Sequence, residues 1–125
     1  MDAWDGYEAN RRRVIDTINF NNIDNVIVIS GDSHANWVSD IAYDNRTGYD
    51  MSTGDGAFGV EFAGTAVSSP SSYGYNATTN GPYPVGYYTK ISQGLVGNKT
   101  INQELQWAEG ATRGYCRSFS LPFVS

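Results

Sequence analysis

Apolar positions in the first part of the chain recur at helical spacing. Between residues 6 and 21 they are separated by Arg, Glu and Asn, which is the pattern of an amphipathic helix. The next apolar stretch, Val-Ile-Val-Ile at residues 26–29, is continuous and β-branched, which is typical of a strand covered on both faces. We therefore predict a helix over residues 6–21, followed by a central strand over residues 26–30.

Farther along the chain, apolar and polar residues alternate in several short segments. These segments predict strands over residues 37–43, 59–67 and 114–121, while residues 102–109 have helical character and residues 68–84 consist of turn-forming residues. The order lacks a regular alternation of strands and helices. It therefore predicts an α/β protein of the α+β type, with a mixed or antiparallel sheet backed by the first helix.

The length of 125 residues suits one domain, and no linker divides residues 1–125. A strand as apolar as residues 26–30 needs partners on both sides and both faces, and the chain supplies few. We therefore expect residues 1–125 to be the C-terminal part of a larger single domain.

Charge and composition exclude several classes of function. The net charge of −5 opposes binding to nucleic acid, and no apolar run is long enough for a membrane span. The single cysteine, Cys116, cannot form an internal disulfide and offers no paired-cysteine metal motif. Three Asn-x-Thr sequons, at Asn45, Asn76 and Asn98, slightly favour a secreted or cell-surface glycoprotein.

The candidate chemistry lies where the first predicted strand ends. Gly31 permits a sharp turn, and Asp32 and His34 follow it two positions apart. In an extended segment, residues at that spacing point to one side, and a carboxylate beside an imidazole suits a metal ion or two neighbouring ions. Two alternatives remain open. The pair can be ordinary turn residues, or Ser30 or Ser33 can act as a nucleophile in a serine hydrolase.

Two motifs give the chain a resemblance to a known family. The sequence W-D-G-Y at residues 4–7 precedes an arginine-bearing helix, and a strand then runs into G-D-S-H at residues 31–34, with Trp37 after it. This order resembles the C-terminal part of the PhoD-like alkaline phosphatases. Residues 60–62, 68–70 and 113–115 also look like the closing strands of that family.

The resemblance implies a fold, an activity and a set of cofactors. The fold would be that of the calcineurin-like metallophosphatases, a β-sandwich flanked by helices, and the activity hydrolysis of phosphate esters at a cluster that includes iron and calcium. Asp32 and His34 match the two ligands of the family's G-D-x-H motif.

Four further residues are candidates for the pocket or for support of the ligands: Trp4, Asp5, Tyr7 and Asn36. For the first three we favour a structural role, in which Asp5 caps the helix and Trp4 and Tyr7 pack together.

The family's N-terminal ligands have no counterpart in this chain. The missing N-terminal half of the domain is therefore the expected partner, and residues 1–125 alone are expected to be inactive. The competing hypothesis is a non-enzymatic, β-rich binding or structural module.

Overall fold

The computed structural model describes residues 4–43, 48–70, 94–96, 102–110 and 112–117. A 3-10 helix, Trp4–Tyr7, leads into helix α1, Glu8–Phe20. Four strands follow: β1 Val26–Ser30, β2 Asn36–Ala42, β3 Ala57–Ala63 and β4 Leu105–Glu109. The predicted α/β class is confirmed, and so are the first helix and the first three strands, within a few residues at their ends.

The four strands form a single mixed sheet in the order β1-β3-β2-β4. β1 pairs with β3 in parallel, whereas β2 pairs antiparallel with both β3 and β4. The expectation of a central position for β1 is wrong for the described residues, where β1 is an edge strand with β3 as its neighbour. A second sheet, which a sandwich would require, is not formed by the described residues.

Helix α1 lies apart from this sheet. Among the described residues it contacts the preceding 3-10 helix and none of the strands, so the expectation that it backs the sheet is wrong. Its N-cap residue is Tyr7 and not the predicted Asp5. Tyr7 makes no side-chain capping hydrogen bond. An ion pair between Arg12 and Glu8, at 3.0 Å, supports the exposed surface of the helix.

The C-terminal part of the described chain differs most from the sequence prediction. Residues 105–109 form strand β4 although Gln, Glu and Ala give this segment helical propensity, because pairing with β2 satisfies its backbone groups. Residues 112–117 have no regular secondary structure, so they do not begin the strand predicted over 114–121. Residues 118–121 of that prediction lie outside the described residues.

One face of the sheet is only partly covered. Across the face that carries Ile29, the paired positions run Ile29, Phe62, Val38 and Trp107, one from each strand. Ile29 is 79% exposed and Trp107 is 49% exposed. We call this set the apolar row. The buried apolar side chains of the described chain are mostly small, since four of the seven are alanine, so the core is thin.

A polar network holds the turn of residues 48–56 onto the sheet. Tyr49 donates a hydrogen bond to Asp40 of β2 at 2.9 Å, and Gln106 of β4 donates to the same carboxylate at 2.8 Å. Burial, followed by the hydrogen bond to Asp40, raises the pKa of Tyr49 from its ordinary 10.0 to about 12. The network therefore joins β2, β4 and the turn of residues 48–56, and Tyr49 keeps its proton within it.

Parallel pairing of β1 with β3 depends on Gly59, which lies opposite Val26. A Cβ at Gly59 would lie 2.9 Å from Cβ of Val26 and closer still to the Val26 carbonyl oxygen. The close approach of the two strands therefore requires a residue without a side chain.

We expect Gly59→Ala to lower the free energy of unfolding by about 1–3 kcal/mol, because the added methyl group must push β1 away from β3. Denaturant unfolding measures this change. Gly31→Ala is the matched control, since its added Cβ would meet nothing nearer than the Gly64 carbonyl oxygen at 3.8 Å. Equal stability of the two variants would contradict the close approach at Gly59.

Several sequence-based expectations fall on other parts of the chain. The sequons at Asn45, Asn76 and Asn98 lie outside the described residues, as does most of the predicted loop 68–84. A secreted or cell-surface location and glycosylation therefore stay predictions. No helix within the described ranges is long and apolar enough to cross a membrane.

Candidate metal centre

Asp32 and His34 line a common cleft of about 420 Å³ at one end of the sheet. The cleft lies where the parallel strands β1 and β3 both end, and the Gly64 amide donates to the Ser30 carbonyl at 3.0 Å to join them there. Its other walls are residues 64–67 and 114–116. Carboxyl ends of adjacent parallel strands commonly form binding crevices, so the position suits a functional site.

The backbone at the two candidate ligands is unusual. Asp32 has φ of 68° and His34 has φ of 55°, so both adopt the left-handed conformation. The Ser33 amide donates to the Gly31 carbonyl at 2.8 Å and closes a tight turn with Asp32 at its centre. Aspartate and histidine are enriched in this conformation, which costs most other residues roughly 1 kcal/mol or more.

Asp32 and His34 do not face one side through the alternation of an extended strand. The segment is a turn instead of an extended strand, and its left-handed residues are Asp32 and His34, whereas Gly31 is not among the residues with positive φ. The two candidate ligands nevertheless reach the same cleft.

The His34 ring is held by a backbone group. Its Nδ1 lies 2.9 Å from the carbonyl oxygen of Pro70, and a carbonyl oxygen can only accept a hydrogen bond. In the neutral ring, Nδ1 therefore carries the proton and Nε2 carries the lone pair. Histidines that bind metals through one nitrogen usually donate from the other to a carbonyl or carboxylate, so His34 fits a metal ligand.

Asp32 supplies an exposed carboxylate that makes no hydrogen bond to another described residue. A carboxylate beside a neutral imidazole is a donor set that fits hard and borderline cations. Within the described residues, however, no group of three or more His, Cys, Asp or Glu side chains could hold a metal ion. The pair is thus a partial ligand set, and its assignment as a metal centre stays a prediction.

The two serines near His34 have other hydrogen-bond partners. Ser30 donates to Glu61 Oε1 at 2.6 Å, and the Ser33 hydroxyl accepts from the Trp37 indole at 3.0 Å. In the described part of the chain neither hydroxyl is hydrogen-bonded to the His34 ring. A serine nucleophile needs such a bond to its base, so the geometry does not favour the serine hydrolase alternative.

The four remaining candidate residues do not enter the cleft as a group. Trp4 and Tyr7 are 43% and 58% exposed and lie outside the cleft lining. The Trp4 indole donates to Asn10 at 3.2 Å, within the helical segment. Asp5 belongs to the 3-10 helix, but its side chain is not among the described groups.

Asn36 lies outside the cleft lining and is bonded to a residue that lines it. Its side-chain oxygen accepts a hydrogen bond from the backbone amide of Thr65 at 3.2 Å, and Thr65 lines the cleft. This bond ties the start of β2 to the loop that follows β3, and support of the ligands by Asn36 stays a prediction.

Sequence reasoning missed the residues that approach the cleft from far along the chain. Pro70 lies 36 positions from His34, and Tyr115 and Cys116 enter the lining from the C-terminal segment. No periodicity or motif spacing links such segments. The Arg-Gly-Tyr sequence at 113–115 is the available signal, although its pattern predicts part of a strand.

Comparison with protein families decides the relationship. The model of the PhoD-like phosphatase family matches residues 1–120. The chain belongs to the PhoD-like phosphatases.

Two relatives of this PhoD-like chain agree with that assignment. Alkaline phosphatase D of Bacillus subtilis (strain 168) is 45% identical over 69 residues, which are 55% of this chain and 11% of the relative. A solved structure described as the structure of PhoD has a TM-score of 0.58 at 32% identity, covering 91% of this chain and 18% of that one. The chain therefore spans only a small part of either relative's length.

Proposed function

We propose that this chain forms part of a metal-dependent phosphatase that hydrolyses phosphate esters, with Asp32 and His34 as two of its metal ligands. The observation that carries the proposal is the placement of both side chains on one cleft, with His34 Nδ1 bound to the Pro70 carbonyl and Nε2 left to bind a cation. Membership of the PhoD-like phosphatases supports the same reaction class.

The proposed cofactors are iron and calcium, which follow from the family resemblance. A bound cation supplies positive charge that polarises a phosphoryl group and lowers the pKa of a water molecule. The residues of this chain contribute an anionic oxygen ligand, a neutral nitrogen ligand and a backbone that fixes both. The remaining ligands and the cover of the sheet come from the rest of the phosphatase domain, so residues 1–125 alone are not expected to turn over substrate.

Metal removal tests the proposal in the full-length phosphatase that contains this segment. Chelation is expected to lower turnover of a phosphate monoester by more than about 100-fold, because groups that merely support metal ligands account for about 10- to 100-fold. Elemental analysis of the untreated protein identifies the cations, and adding them back should restore turnover. Full activity in demonstrably metal-free protein would contradict the proposal.

The non-enzymatic module has no specific observation in its favour. A binding module would need no fixed tautomer at His34 and no pair of polar side chains directed into one cleft. The same elemental analysis distinguishes it, since a module of that kind would contain no stoichiometric metal.

A further inference from the structure

Arg113 contacts the loop of residues 67–70, whose Pro70 carbonyl is bonded to His34. Its Nε donates a hydrogen bond to the Ser69 carbonyl at 3.0 Å, and the next residue, Pro70, accepts from His34 Nδ1 at 2.9 Å. Two consecutive peptide carbonyls are thus engaged, one by the guanidinium and one by the imidazole. The contacts run from the C-terminal segment to the candidate metal ligand without a gap.

The backbone on both sides of Arg113 is fixed. The Thr65 hydroxyl donates to the Thr112 carbonyl at 3.2 Å, and the Gly114 amide donates to the Ala66 carbonyl at 3.4 Å. Residues 65 and 66 follow β3 directly. The side chain of Arg113 therefore projects from a segment that is attached to the end of the sheet.

The loop that carries Pro70 has few other attachments. Within the described ranges, the hydrogen bonds that reach residues 67–70 are those of Arg113 to Ser69 and of His34 to Pro70. Val67 and Ser68 are exposed, so packing adds little restraint. Without Arg113, the position of the Pro70 carbonyl would rest on the histidine that it is meant to orient.

We infer that Arg113 is a positioning residue for His34, acting through the Ser69–Pro70 backbone. It places the Pro70 carbonyl so that His34 keeps its proton on Nδ1 and offers Nε2 to the cleft. The inference rests on the proposed function only where it treats His34 as a metal ligand, because the tautomer itself can be measured without metal.

His34 is the only histidine of residues 1–125, so its ring nitrogens give one unambiguous pair of signals when this segment alone is ¹⁵N-labelled within the metal-free full-length phosphatase. We expect the neutral wild-type ring to be protonated at Nδ1. Arg113→Ala should shift the population toward the Nε2-protonated tautomer. Wild-type protein protonated at Nε2, or an unchanged Arg113→Ala spectrum, would overturn the inference.

Two variants separate positioning from general support. Arg113→Gln puts an amide N–H donor close to the place of the guanidinium Nε, so it should retain the wild-type tautomer without the positive charge. Ser69→Ala leaves the accepting carbonyl in place and should also behave as wild type. If Arg113→Ala abolishes the amide pattern of the sheet, or if Arg113→Gln fails like Arg113→Ala, Arg113 is a structural residue and the inference falls.

A second readout in the full-length phosphatase separates this inference from the proposed function. Arg113→Ala should raise the cation concentration needed for half-maximal activity by about 10-fold, the lower end of the range for groups that orient metal ligands. Arg12→Ala, on the surface of α1, is the control and should leave that concentration unchanged. If Arg113→Ala shifts the His34 tautomer but the enzyme needs no cation for activity, the inference about Arg113 is supported and the proposed function is contradicted.

Discussion

His34→Ala in the full-length phosphatase is expected to lower turnover by more than about 100-fold and to reduce the bound metal measured by elemental analysis. Under the proposed function the variant removes a ligand itself, whereas loss of a ligand's hydrogen-bond partner already costs about 10- to 100-fold in affinity or activity. Steady-state kinetics with a phosphate monoester, together with metal content, measures both effects.

Asp32→Asn should be comparably severe for a different reason. Asparagine tolerates the left-handed conformation as well as aspartate does, so the φ of 68° at this position is retained and mainly the negative charge is lost. A loss of metal at unchanged thermal stability would assign the effect to the charge.

Ser33→Ala is the control for both variants, because Ser33 lies between them and outside the cleft lining. Its hydroxyl bonds to Trp37 and to the Ala35 carbonyl, so its removal should reduce stability slightly and leave most of the turnover. An inactive Ser33→Ala with active His34→Ala and Asp32→Asn would instead support the serine nucleophile. Full activity in all three would make the pair ordinary turn residues.

Residues 1–125 in isolation are expected to bind a hydrophobic dye and to self-associate. The apolar row ends at Ile29, Ile27 nearby is 61% exposed, and helix α1 does not cover either residue. An edge strand with exposed apolar side chains on one face is a common site of association between chains. Dye fluorescence and sedimentation measure the two effects.

The double variant Ile27→Thr/Ile29→Thr should lose most of this dye binding while it keeps β-branched residues in β1. Phe20→Thr is the matched control, because Phe20 is 86% exposed but lies at the end of α1 and outside the apolar row. A wild-type segment that is monomeric and dye-free would contradict the need for further cover. In the full-length phosphatase the dye signal should be absent.

The sequence predicted the elements that depend on local patterns. Neighbouring residues alone predict the β-branched run of β1 and the placement of Asp32 and His34 at its end, whereas the turn conformation of residues 32–34 was not predicted. The propensity of residues 105–109 for helix was overridden by pairing with β2, because the energy of a strand comes from its neighbours. The edge position of β1 likewise depends on partners that a local pattern does not contain.

The candidate site was predictable to the same extent. The motif pointed to the two candidate ligands, but the Pro70 carbonyl bonded to His34 comes from 36 positions away, and Arg113 is 44 positions from the carbonyl to which it donates. Such contacts arise from the folded path of the chain, so residue spacing cannot reveal them. Asp32 and His34 adopt left-handed conformations in place of the extended conformation expected from their spacing. Both nevertheless line one cleft.

The cleft also sets an order of events during synthesis. Its walls come from residues 29–32, 34, 62, 64–67 and 114–116, so it brings together three segments that are distant along the chain. Contacts of that kind form late, after nearer pairings have closed the intervening loops. A nascent chain that has emerged only through β3 already carries Asp32 and His34 but lacks residues 114–116, so the cleft is complete only after the C-terminal segment has been synthesised.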